Sequence, residues 1–225
     1  MENRLEAKGG GYLKKGMFIT FEGVEGCGKT TQMSLAADRL RAMGHTVETT
    51  REPGGTPAGA AVRKILLSPD TGDLDPMTEL LLFSAARREL ITRVIRPALE
   101  TGAIVLCDRF ADSTTAYQGY GRGLDMELIR KITETTLDGL WPDLTIVLDV
   151  PAEEGLKRAN GRMEKEGRGE ARFENEDVEF HRRVRQGFLD IAKREPGRVK
   201  VVDSTRPLEA VSEATLWIMK ETLGL

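Results

Sequence analysis

The runs IVLCD at 104–108 and TIVLDV at 145–150 are apolar along nearly their whole length instead of alternating apolar with polar residues. A strand of that kind has both faces covered, as in a parallel sheet packed between helices. Further β-rich runs lie at 17–22, 45–50 and 198–203; with 103–108 and 144–150 they make five. Between them, apolar residues recur at helical spacing over 29–43, 57–67, 78–100, 126–137, 151–160, 176–194 and 207–221. Alternating strands and helices require crossovers, so the sequence predicts a three-layer α/β fold around about five parallel strands. Residues 1–15, polar and carrying Gly9, Gly10 and Gly11, read as a flexible tail ahead of a single domain at 16–225. GRMEKEGRGEAR at 161–172 is dense in charge and glycine and reads as a small mobile lid, about 159–174.

In such sheets ligands gather beyond the carboxyl ends of the strands. Directly after MFITFE, the segment Gly23, Val24, Glu25, Gly26, Cys27, Gly28, Lys29, Thr30 fits G-x-x-x-x-G-K-[ST] and opens the helical run at 29. Strand, loop and helix make the context in which this pattern is a phosphate loop, or P-loop. Its glycines let successive N–H groups turn inward onto a phosphate chain, and the helix N-terminus adds partial positive charge. Lys29 is placed for the β and γ phosphates, and the Thr30 hydroxyl for a magnesium ion; Thr31 completes the loop set, 23–31. The fold expected is therefore a P-loop nucleoside-triphosphate-binding one.

Charge leaves the anion to this loop. With 33 basic and 36 acidic side chains the net charge is -3, so no global field advertises nucleic acid or an anionic membrane. No run approaches the ~20 apolar residues of a membrane span. Cys27 and Cys107 sit in short apolar or glycine-rich contexts, which suits a reducing cytoplasm with no disulfide and no zinc.

A phosphate loop serves switch GTPases, motor ATPases and kinases alike. No N-K-x-D occurs to read guanine, and the two apolar strands end in Asp108-Arg109 and Asp149-Val150, not the adjacent Asp-Glu of a motor. Asp108 can hold a magnesium water, and Arg109 can fork onto a phosphate; a plain Asp–Arg ion pair is the alternative. Arg51, closing the second strand in TTREPGGT, is a second arginine at the same edge. Two such arginines beside one phosphate loop suggest a second anionic ligand, a phosphate acceptor.

From 17 to the C-terminus the chain resembles the bacterial thymidylate kinases. The resemblance rests on FEGVEGCGKTTQ, REPGGT, LLLFSAARREL, DRFADSTTAYQGYGRGLD, VLDVP and RFENED, in family order. It implies transfer of the γ-phosphate of ATP to dTMP, with magnesium, in a homodimer serving dTTP synthesis. It further implies that Phe83 stacks on thymine, that Arg87 one helical turn on reaches the base edge, and that Gln118, with Ser113 a weaker candidate, hydrogen-bonds the base. Arg51 and Arg109 would hold the acceptor phosphate, Tyr117 would lie beneath the deoxyribose and exclude a 2′-hydroxyl, and Glu25 would meet the 3′-hydroxyl. The alternatives are that Phe83, within LLLF, is a core residue and that Arg87 is a solvated surface charge.

In one subgroup of the family an arginine follows the acid of the phosphate loop; here that position is Gly26. The resemblance is to the subgroup whose catalytic arginine comes from the lid, with Arg162 and Arg168 as candidates and Arg158 and Arg172 flanking them. Within enzymes the alternative is a related kinase acting on another nucleotide or a deoxynucleoside. Outside them it is a silent nucleotide-binding module, against which intact Lys29, Thr30, Asp108 and Arg109 argue.

Overall fold

The computed structural model describes residues 4–6, 12–14, 16–166 and 172–224. Within the stretch expected as a tail, β1 (Arg4–Glu6) and β2 (Tyr12–Lys14) pair antiparallel in a two-stranded sheet of their own. The main sheet contains β3 (Met17–Glu22), β4 (Val47–Arg51), β5 (Ile104–Asp108), β6 (Leu144–Asp149) and β7 (Val199–Asp203). All are parallel, in the spatial order β4-β5-β3-β6-β7. The central strands β3, β5 and β6 are buried along almost their whole length, whereas the edge strands VETTR and VKVVD leave residues exposed. That is why the sequence shows continuous apolar runs only in the middle of the sheet.

The pleat sends neighbouring residues to opposite cores. On β3, Phe18 joins Val105, Leu90, Ile95 and Leu137 on one face, while Ile19 and Phe21 join Leu40, Ile146 and Phe188 on the other. Burying each such side chain contributes about 1.5–3 kcal/mol. Phe110 meets Phe18 edge-on, with ring centroids 4.8 Å apart, and so ties the turn after β5 to the first face.

The register lines up the carboxyl ends of the strands. Phe21 and Arg51 both pair with Asp108, and Asp149 pairs with Asp203. The strand order changes direction at β3, which opens the crevice where a ligand sits in sheets of this kind.

Helices begin where short polar residues can take the first free N–H groups. Thr56 accepts from Gly59 N at the start of α2 (Pro57–Leu67), and Asp75 from Met77 N and Thr78 N at the start of α3 (Pro76–Leu90). By contrast α1 (Lys29–Ala42) starts at Gly28, in the left-handed region, with no side-chain cap.

The helical run read over 78–100 is interrupted. After α3 comes a π turn at Ile91–Ile95 and then α4 (Arg96–Glu100), because Pro97 has no N–H and its ring crowds the Arg93 carbonyl. A second departure lies at 111–121, where α5 (Ala111–Thr114) runs into a π turn, Thr115–Gly121. Glycine, serine and threonine hid this helix from a propensity reading. Gly121 is needed because a Cβ there would lie 2.6 Å from Phe180.

The remaining helices are α6 (Met126–Leu137), α7 (Ala152–Glu166), α8 (Val178–Arg194) and α9 (Leu208–Leu223). The helical run read over 151–160 extends further, α7 continuing to Glu166, which makes Arg162 a helical residue. Arg168 lies outside the described residues.

Candidate active site

A cavity of about 420 Å³ opens at the carboxyl edge of the sheet between the phosphate loop, the turn after β4, α3 and the 109–118 segment. Arg51, Phe83, Arg87, Arg109, Ser113, Tyr117 and Gln118 all line it beside Glu25, Gly26, Gly28, Lys29, Thr30, Thr31 and Asp108. The sequence candidates for two phosphate-bearing ligands thus share one space.

The loop's backbone follows from its glycines. Gly23, Gly26 and Gly28 have φ of 135°, 68° and 94°, values that a Cβ disfavours. Val24 and Cys27 turn into the core, so they contribute backbone rather than side chains to the concave face. Ser204 supports the loop from beneath by donating to the Cys27 carbonyl at 2.6 Å. Lys29 is buried against its own loop, its Nζ donating to the carbonyls of Gly23 and Val24 at 3.1 and 3.0 Å. The Thr30 hydroxyl donates to Asp108 Oδ2 at 2.6 Å.

Arg109 has φ 69°. Such a backbone costs a non-glycine residue about 1–2 kcal/mol, and the surroundings hold it there. Its N–H donates to Phe21 O, Nη1 to Gly23 O and Ser113 Oγ, and Nη2 to Glu25 Oε1 at 2.9 Å. The guanidinium also lies 4.8 Å from the centre of the Tyr117 ring. Ser113 in turn donates to Glu22 at 2.6 Å, so here its hydroxyl braces Arg109.

Glu25 is enclosed by donors: Arg109 and Tyr117 on Oε1, and His181 Nδ1 at 3.0 Å from Oε2. Against the cost of burial, Arg109, His181 and Lys29 hold its carboxyl well below the usual range. Burial pushes the Tyr117 phenol well up, a shift that Arg109 opposes and Glu25 adds to.

Arg87 is fully buried, which removes the reading of it as a solvated charge. Its Nε donates to Glu52 at 2.8 Å and its Nη2 to Phe110 O and Thr114 Oγ1, while Nη1 has no hydrogen-bond partner. Burial pushes the Glu52 carboxyl up to about 7 despite the arginine. Phe83, half-buried, packs against the core and faces Phe173 with ring centroids 6.2 Å apart. Gln118 donates to Glu79 Oε1 at 2.8 Å. Of the lid arginines, Arg158 donates to Ser204 O, and Arg172 to Glu79 and Leu66 O.

A family model described as Thymidylate kinase matches residues 21–215. The chain belongs to the thymidylate kinase family. It is 51% identical over 202 residues to a thymidylate kinase of Syntrophotalea carbinolica, covering 89% of this chain and 93% of that one. It is 50% identical over 213 residues to that of Caulobacter vibrioides, covering 95% of this chain and all of the other. The crystal structure of thymidylate kinase from Ehrlichia chaffeensis superposes with a TM-score of 0.74 at 39% identity, over 92% of this chain and 99% of that one.

Sequence reasoning missed Glu22, Glu52, Glu79, Phe173, His181 and Ser204, all of which touch residues of this thymidylate kinase site. Glu22, a carboxylate at the end of a strand that is otherwise mostly apolar, was a readable signal. So was His181 in EFHRRV, on the helix face that carries Phe180 and Val184. Glu79 and Ser204 gave none, because their partners are distant in sequence.

Proposed function

We propose that the chain transfers the γ-phosphate of ATP to dTMP, giving ADP and dTDP. The observation that carries this is one cavity joining Lys29, Thr30 and Asp108 to Phe83, Arg87, Gln118, Arg51 and Arg109. A loop for one phosphate chain and arginines for another line the same space.

In this reading an oxygen of the dTMP phosphate bonds to the γ-phosphorus as the bond to the β,γ-bridging oxygen breaks. The reaction needs in-line placement and positive charge more than covalent help. Lys29 exchanges its two carbonyl acceptors for phosphate oxygens. Arg109 and Arg51 hold the acceptor phosphate, and Phe83 stacks on the base. Glu25, kept ionised by Arg109, accepts from the 3′-hydroxyl, and Tyr117 closes the space under the deoxyribose. Thr30 and Asp108, two oxygen donors in contact at the loop's open side, fit a magnesium ion that keeps most of its waters. When bound, that ion would offset charge on the β and γ phosphates.

Arg162 or Arg168 would supply the further cation from a lid at about 159–174 of a single domain, 16–225. Ile65 on α2 and Leu81 on α3 expose apolar side chains on adjacent helices, which supports a homodimer. No helix among the described residues is long and apolar enough to cross a membrane; the free, buried Cys27 and Cys107 support a reducing compartment, the cytoplasm. A coupled ADP-release assay with dTMP, dUMP, UMP and dCMP tests the function. Expected are dTMP best, dUMP lower by a methyl contact of about 1–3 kcal/mol, and UMP nearly inert. UMP matching dTMP in kcat/KM would remove Tyr117 as a sugar gate.

A further inference from the structure

Glu79 lies in the first turn of α3 with no solvent exposure, and it touches no residue of the phosphate loop. Four donors converge on its carboxylate. Gln118 Nε2 and Arg122 Nε reach Oε1 at 2.8 and 3.4 Å, and Arg172 Nη1 and Arg122 Nη2 reach Oε2 at 2.8 and 3.3 Å. Arg122 is itself paired with Glu176 at 2.6 Å. A carboxylate between two arginines can only accept, so the Gln118 amide has a single compatible orientation, with NH₂ toward Glu79. Its Oε1 is then the acceptor that Gln118 offers to a ligand in the cavity it lines.

Arg87 lines the same cavity, and its Nη1 is a buried donor with no hydrogen-bond partner among the described residues. One fixed donor and one fixed acceptor make a pattern that a pyrimidine either matches or opposes. A 4-oxo pyrimidine presents an acceptor at O4 and a donor at N3–H; cytosine presents a donor at N4 and a bare acceptor at N3. From this we infer that Glu79 is a positioning residue for base specificity, selecting 4-oxo pyrimidines over 4-amino ones by locking the Gln118 amide. The inference rests on the proposed function, which puts the base at Phe83, Arg87 and Gln118. It adds a residue that reads the base without touching it.

Buried polar groups left unpaired by the wrong ligand are what make such discrimination large. Glu79→Gln keeps the shape and lets its own amide face Gln118 either way round, which frees the Gln118 amide to turn. The experiment measures kcat and KM for dTMP and dCMP with the parent enzyme and with this variant, alongside thermal melting. Expected is a rise in KM for dTMP, with kcat changed less, and a fall of about ten-fold or more in the dTMP-to-dCMP ratio of kcat/KM. A folded variant in which both substrates lose by the same factor would overturn the inference. If Glu79→Gln does not melt cooperatively, Glu79→Asp keeps the charge for the two arginines but withdraws the carboxylate from Gln118. An unchanged ratio in that folded variant overturns the inference equally. A parent enzyme without preference for dTMP would overturn the proposed function itself; a parent with that preference and variants with its ratio would overturn the role of Glu79 alone.

Discussion

His181 Nδ1 lies 3.0 Å from Oε2 of Glu25, so helix α8 is bonded directly to the phosphate loop. Both residues are buried, and the other Glu25 oxygen is already taken by Arg109 and Tyr117. An ionised Glu25 only accepts, so the imidazole must carry its hydrogen on Nδ1, while Nε2 has no partner. The consequence is a chain of contacts running from α8 through Glu25 to Arg109, which makes the placement of Arg109 depend on a helix outside the loop.

The first prediction follows from that chain. His181→Ala removes a hydrogen bond to a charged group, worth about 1.5–3 kcal/mol, and lowers kcat/KM for dTMP by roughly 10- to 100-fold. His181→Asn can still donate from an amide at the Nδ1 position and should recover most of the loss. Steady-state kinetics on both variants, with melting curves, checks this. Equal losses in the two would show that only the bulk of the imidazole matters.

Lys29→Met retains the buried stem and removes the ammonium. Since Nζ bonds only to its own loop, the fold should survive, whereas phosphoryl transfer should fall by about 10³-fold through lost transition-state charge. Unchanged far-UV circular dichroism together with parental turnover would remove Lys29 from the chemistry.

Much of this arrangement could be read in the sequence because it depends on local pattern. The phosphate loop needs only glycine spacing between a strand and a helix, and the sheet needs only apolar runs. Arg87 marks where such reading stops. A solvated charge was the alternative to its role at the base, but its partners Glu52, Phe110 and Thr114, all distant from it in sequence, bury it in the core. Ser113 shows the same limit in reverse, since its hydroxyl donates to Glu22, which lies far away in the chain. The π turn at Thr115–Gly121 was hidden because packing, rather than propensity, holds its glycines in a helix, Gly119 against Met126 and Ile129 of α6 and Gly121 against Phe180 and Val184 of α8.

Glu22 gives a pH prediction. Burial, with Asp112 adding to it, pushes the carboxyl up to about 8 despite donation from Ser113 and Phe110 N. An unfolded glutamate titrates near 4.3, so between about 4.3 and 8 the folded state binds the extra proton. The stability Glu22 contributes is therefore complete below about 4.3 and is lost as pH rises through 8, at no more than ~1.4 kcal/mol per pH unit. Glu22→Gln does not titrate and can keep both contacts. Its melting temperature should rise relative to the parent from pH 5 to pH 9, and a constant difference across that range would contradict the buried, proton-binding carboxyl.

The last prediction concerns the lid. Charge on the transferring phosphoryl group must be met by Lys29, the metal and at least one further cation, because Gly26 stands where another subgroup has arginine. Of the four lid arginines, Arg158 is committed to Ser204 O and Glu154, and Arg172 to Glu79 and Leu66 O. Those contacts suit anchors at the two ends of the segment. The resemblance to the family makes Arg162, on the last turns of α7, and Arg168 the candidates for the reacting phosphate. An arginine that acts only in the transition state lowers kcat and kcat/KM together, whereas a ground-state contact mainly raises KM for ATP. Alanine at Arg162 or Arg168 should therefore cost about 10²-fold or more in kcat, toward the ~10³–10⁵ attributed to arginine fingers. Alanine at Arg158 or Arg172 should cost far less in kcat and show instead in thermal stability. Steady-state kinetics and melting on the four single variants measure both effects. If all four kept kcat within a few-fold of the parent, the lid would supply no catalytic cation and the charge would have to be met from the fixed walls of the site, with Arg51 and Arg109 the next residues to replace.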